Sequence, residues 1–138
     1  MNDSSLLLNP IGRVVSVLTD RSTAPRQGDE GAPDAWIDID PAVADGLRDL
    51  RVGEEIVLLT WFDRAHRDVL LVHPRRRFDR PAVGVFSTRS PDRPNPIGLH
   101  QVTILAIEGG RLKVSQLEAL DGTPVIDIKP LLGPVSER

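Results

Sequence analysis

The sequence predicts an all-β protein, a closed or nearly closed β-barrel of short strands with one small helix. Three observations lead there. The apolar residues fall in about eight short runs, each bounded by charged, glycine or proline residues. Only one segment carries helix signals, so the strand–helix–strand alternation that builds parallel sheets is missing. Gly109-Gly110 separates two alternating runs, the pattern of a two-residue hairpin whose central residues can take positive φ. Closure into a barrel would spare such short strands an exposed edge.

Taken in order, "IGRVVSVL" (Ile11 to Leu18) and "AWIDID" (Ala35 to Asp40) read as strands. The 16 residues between them, "TDRSTAPRQGDEGAPD" (Thr19 to Asp34), form the one long loop, of a length usually associated with function or disorder. The helix is expected in "DPAVADGLRDLRVG": Asp40 caps, Pro41 suits the first helical position, Val43, Leu47 and Leu50 share a face, and Gly53 ends it. Strands resume with "EEIVLLTWF" (Glu54 to Phe62), "DVLLVH" (Asp68 to His73) and "AVGVFS" (Ala82 to Ser87). The hairpin "QVTILAIEGGRLKVSQLEAL" follows. An Asp121-Gly122 turn then leads into "DGTPVIDIKP", which as a regular strand puts Val125, Asp127 and Lys129 on one face and Ile126 and Ile128 on the other. Trp36 and Trp61 are expected in the core.

At 138 residues the chain is expected to be a single domain over 1–138, its core at about 10–131. It contains no cysteine and three scattered histidines, which exclude a disulfide framework and thiolate metal sites and leave little for any metal. No run of about 18 apolar residues could span a bilayer and no basic leader precedes Leu6-Leu7-Leu8, so a soluble cytoplasmic protein is expected. A net charge of −3 argues against a general nucleic-acid coat, but "HPRRRFDR" (His73 to Arg80) concentrates cationic groups. Arg75, Arg76 and Arg77 are either a solvated surface or local phosphate contacts.

The stretch "STRSPDRPNPIGLHQV" (Ser87 to Val102) carries three prolines and two arginines between apolar runs. Each proline fixes its own φ and biases the preceding residue, here Ser90, Arg93 and Asn95, toward extended backbone. Such a loop is either a stiff crossover with solvated side chains or a preorganised surface from which Arg89, Arg93 and Asn95 meet a ligand at low entropic cost. Gly98 permits close backbone approach.

"STRSPDRPNPIGL" followed by "DGTPVIDIKP", with "PIGRV" and "APRQG" upstream in that order, resembles the TsaA-like (YaeB, TrmO) family of S-adenosylmethionine-dependent tRNA methyltransferases, over roughly Pro10 to Leu131. The resemblance implies a single-sheeted barrel, consistent with the missing G-x-G-x-x-G motif, and a homodimer. It implies methyl transfer to N6 of threonylcarbamoyladenosine in the tRNA anticodon loop. The cofactor contacts it implies fall on Pro25, Arg26, Gln27, Asp63, Arg64, Arg89, Leu99, Asp121, Gly122, Thr123 and Pro124. Within that set Arg89 suits the methionyl carboxylate, Asp121 or Asp63 the amino group, and Leu99 the adenine. On the substrate side the candidates are Arg93, as partner of the threonyl carboxylate, with Asn95, Asp127 and Lys129. Asp127 and Lys129 are equally able simply to pair with each other. Many members carry a histidine where this chain has Asp63, and, the sequence ending soon after "DIKPLL", the further C-terminal domain of many bacterial members is expected to be missing. A non-catalytic barrel that binds S-adenosylmethionine or a nucleotide as a sensor remains the alternative.

Overall fold

The computed structural model describes residues 5–137; residues 1–4 and 138 of the expected domain lie outside the described residues. Eight strands form: β1 (Gly12–Val15), β2 (Ala35–Ile39), β3 (Glu55–Trp61), β4 (Leu71–Val72), β5 (Val83–Gly84), β6 (Ile97–Glu108), β7 (Arg111–Val114) and β8 (Pro124–Pro130). Six of them close into an antiparallel barrel in the order β1-β2-β7-β6-β3-β8, and β4 pairs with β5 as a separate two-stranded sheet. The inward positions are aliphatic: Val14, Ile37, Ile56, Leu58, Ile104, Leu112, Val114 and Val125 are buried in one cluster. Each such side chain taken from water contributes about 1.5–3 kcal/mol, and the barrel hydrogen-bonds the backbone that carries it.

The hairpin forms between β6 and β7, with Gly109 at φ 61. Of its two glycines only Gly109 takes positive φ. The expected second arm is cut short after Val114, because Gln116 turns to φ 30 and donates its N–H to the Asp34 carboxylate. The helix forms as a seven-residue 3-10 helix, Pro41–Leu47, capped by the Asp40 side chain on the Ala42 amide. Leu47 and Leu50 pack against the core while Val43 remains exposed. The expected strands at 68–73 and 82–87 shrink to two residues each, since β4 and β5 have only one another to pair with.

Two expectations about faces are overturned. Between Leu59 and Thr60 the β3–β8 register shifts: Thr60 faces Val125 but Leu59 faces Asp127. This bulge at Ile126 puts Val125 inward beside Thr60 and Ile128 inward beside Leu58, leaving Asp127 and Lys129 on the outer face, opposite to Val125. The tryptophans also point outward, because Ala35, Ile37 and Ile39 on β2 and Ile56, Leu58 and Thr60 on β3 occupy the alternating inward positions. Each half-buried indole is covered by an arginine, Trp36 by Arg111 at 4.5 Å and Trp61 by Arg67 at 5.1 Å.

Candidate functional site

Strand polarity brings three connections to one end of the barrel: residues 16–34, 62–96 and 115–123. With the first residues of β6 they enclose an open cleft of about 1030 Å³. Two ion pairs tie the first connection to the second, Arg21 to Asp92 at 2.6 Å and Arg75 to Glu30 at 2.6 Å. Burial alone would raise the Asp92 carboxyl, but hydrogen bonds from the Arg21 guanidinium and the His66 amide outweigh it and hold the group below its ordinary range. Glu30 is lowered by its hydrogen bond from Arg75. Arg75 and its neighbour Arg76 both sit in the left-handed region, at φ 51 and 56. That is a strained conformation for non-glycine residues.

The proline-rich stretch is fixed by more than its prolines. Arg67 donates to the Pro94 carbonyl at 2.7 Å and to Asn95 Oδ1 at 3.0 Å. The Thr88 and Ser90 hydroxyls accept from the backbone two residues on. Arg93 turns back on its own loop and donates to the carbonyl oxygens of Val85 and Thr88. Gly98 faces Thr60 across the β3–β6 pair, where a Cβ would lie 2.3 Å from Thr60 Oγ1 and 2.5 Å from the Phe62 ring. The close approach made there is that of two side chains.

Most of the residues singled out in the sequence converge on the cleft. The first connection supplies Pro25, Arg26 and Gln27; the second supplies Asp63, Arg64, Arg89 and Arg93; β6 supplies Leu99, and the third connection Thr123. Arg64 donates to the Thr19 carbonyl, whereas Arg89 makes no hydrogen bond or ion pair among the described residues. Asp121, Gly122 and Pro124 do not line the cleft. Asp121 Oδ1 accepts from the Ser16 amide, Gly122 takes φ 83 in the turn, and Pro124 is buried at the start of β8. Asn95 is held by Arg67 away from the cleft lining. Asp127 and Lys129 pair with each other at 3.2 Å on the outer face of β8.

Sequence reasoning missed a buried polar chain at the cleft floor. His100 Nε2 lies 2.7 Å from Thr60 Oγ1, and His100 Nδ1 lies 2.5 Å from Glu118 Oε1. The His100 side chain is 1% exposed and that of Glu118 13%. The three residues come from β3, β6 and the third connection, 40 and 18 positions apart, so no local pattern announces them. The only available signal was polarity at inward positions of β3 and β6, visible once the strand register is known.

A closed antiparallel barrel with a cationic, partly apolar cleft at one end defines a small-ligand-binding barrel rather than a dinucleotide fold. A family model described as the tRNA-methyltransferase O N-terminal domain matches residues 13–135, and the chain belongs to that family. An S-adenosyl-L-methionine-binding protein of Archaeoglobus fulgidus is 48% identical over 124 residues, covering 90% of this chain and 88% of that protein. A second protein of the same organism, a probable S-adenosyl-L-methionine-binding protein, is 47% identical over 89% of this chain, but the match spans only 33% of its own length. The crystal structure of TrmO from Pseudomonas aeruginosa superposes with a TM-score of 0.73 at 32% identity, over 94% of this chain and 57% of that one.

Proposed function

We propose that the chain is an S-adenosylmethionine-dependent methyltransferase that modifies N6 of threonylcarbamoyladenosine in the anticodon loop of tRNA. The observation that carries this reading is the convergence of residues 25–27, Arg89, Leu99 and Thr123 on one cleft, in a chain of this family. The residues present fit the cofactor. Arg89 is a cation without an internal partner, suited to the methionyl carboxylate, and the half-exposed Ile97 and Leu99 offer apolar walls to a nucleoside. When bound, S-adenosylmethionine supplies a methyl group on a positively charged sulfur.

The chain's own contribution is mainly positioning, since holding nucleophile and methyl in line at about 3–3.5 Å accounts for much of the rate. Arg93 serves this by fixing the backbone at Val85 and Thr88, next to Arg89. Of the residues considered for the substrate side it is the one on the cleft; Asn95, Asp127 and Lys129 enter the proposal only as residues outside it. Arg26, Arg64 and Arg76 on the cleft walls support an RNA partner, because phosphate contacts orient a loop whose unpaired bases can be splayed out. The proposal includes a homodimer and a cytoplasmic location; among the described residues no helix is long and apolar enough to cross a membrane.

Methyl transfer from labelled S-adenosylmethionine to tRNA tests the reading. Label should enter threonylcarbamoylated tRNA and be nearly absent from tRNA lacking that group. Cofactor binding without any transfer would replace this proposal with the sensor.

A further inference from the structure

Arg89 and Glu118 line a small depression of about 300 Å³ that shares a wall with the cleft, together with Gln27, Gly28 and Leu99. Neither is neutralised by the other, for no ion pair joins them, and Arg89 has no partner at all among the described residues. Glu118 has one oxygen occupied and one free. Oε1 accepts the hydrogen bond from His100 Nδ1, while Oε2 accepts none among the described residues. Among the described residues no side-chain oxygen is both fully buried and unpaired, so Oε2 keeps some exposure, on a residue that lines the depression. A Cβ on Gly28 would lie 3.3 Å from Oε2, and 2.3 Å from the Gln116 carbonyl. The wall at residue 28 therefore closes on Oε2 only because that residue is glycine.

An open cation and an oriented carboxylate that line one depression without pairing are complementary to a ligand that carries both charges a bond or two apart. The α-carboxylate and α-ammonium of an amino acid are such a pair. We propose that Glu118 binds the ammonium group of the cofactor's amino-acid end while Arg89 binds its carboxylate, with His100 and Thr60 as positioning residues behind Glu118. This rests on S-adenosylmethionine being the cofactor. The other carboxylates considered for the ammonium are less suited. Asp121 is committed to the Ser16 amide, and Asp63 is exposed with no group to orient it. Glu118 by contrast is held through a chain that ends on a fully buried hydroxyl, so little side-chain freedom is lost on binding. Nδ1 carries the proton toward Glu118 whether the ring is neutral or charged, and Nε2 meets Thr60 in either state.

The test is calorimetric, with three ligands: S-adenosylmethionine, its decarboxylated form, which keeps the ammonium, and 5′-methylthioadenosine, which lacks the amino-acid end. Glu118→Gln keeps an oxygen for His100 but not the charge. It should weaken S-adenosylmethionine and the decarboxylated form at least tenfold, about 1.4 kcal/mol, and leave methylthioadenosine unchanged. Arg89→Ala should weaken S-adenosylmethionine alone. Thr60→Val, which removes the hydroxyl behind His100 without changing the shape, should cost S-adenosylmethionine affinity severalfold in the same ligand-selective way. Wild-type affinity in Glu118→Gln, or an equal loss for all three ligands, would overturn the assignment. If the unmutated protein binds none of the three, the cofactor reading itself falls and takes this one with it.

Discussion

Gly98 couples the packing of the barrel to the geometry of the cleft. Its missing side chain makes room for Thr60 Oγ1 and the Phe62 ring, and Thr60 in turn holds His100, whose ring packs edge-on against Phe62 at 5.7 Å. Gly98→Ala would place a methyl where neither neighbour can move without breaking the Thr60–His100 hydrogen bond or displacing a ring from the core. Overpacking of this kind costs about 1–3 kcal/mol. Urea unfolding of the variant should show that loss of stability as a lower midpoint with an unchanged slope; an unchanged midpoint would mean that β3 and β6 separate more easily than their pairing suggests. Sequence alone suggested a glycine that admits a backbone. The need for glycine was legible there, but the reason was not, because it lies in a cross-strand partner 38 positions away.

The connections between strands show the same division. The Gly109-Gly110 hairpin, the Asp121-Gly122 turn and the capped turn at Asp40 could be read directly, since each depends on a few adjacent residues. The bulge at Ile126 and the outward tryptophans could not, because both depend on which strand lies alongside. The walls of the cleft are likewise a long-range product, joined by Arg21–Asp92 and Arg75–Glu30. Asp92 has a direct consequence for pH. Its carboxyl is lowered in the folded chain, so its contribution is fully present above the ordinary aspartate pKa and is lost as pH falls through the lower folded value. Asp92→Asn should therefore lower the melting temperature near neutral pH, and the gap to the unmutated protein should shrink steadily below about pH 4. A gap that stays constant across that range would show that Asp92 acts only through neutral hydrogen bonds. Limited proteolysis within residues 62–96 should become faster over the same acid range.

The whole chain exposes 9238 Å² of surface, against roughly 7100 Å² for a compact monomer of 15.2 kDa. In the connection at 62–96 the apolar side chains Leu70, Leu71, Phe78 and Phe86 are exposed, Phe78 at 72% and Phe86 at 82%, and Leu71 and Phe78 also line the cleft. Several large exposed apolar side chains on one connection mark an interaction surface. A standard protein interface takes about 800 Å² from each partner, less than that excess. A second copy of the chain is the occupant under the proposed homodimer, in which a two-fold arrangement lets the same apolar arm serve on both sides. Sedimentation at about 10 µM should then give roughly twice the 15.2 kDa chain mass. Phe86→Glu with Leu71→Glu should shift it to the monomer, because two buried carboxylates without partners are costly at an interface. The barrel, closed on itself through β1 and β8, should keep its fold in that variant, with an unchanged far-ultraviolet spectrum. A monomeric wild-type protein at that concentration would mean that the arm meets another partner, and the homodimer would have to be given up.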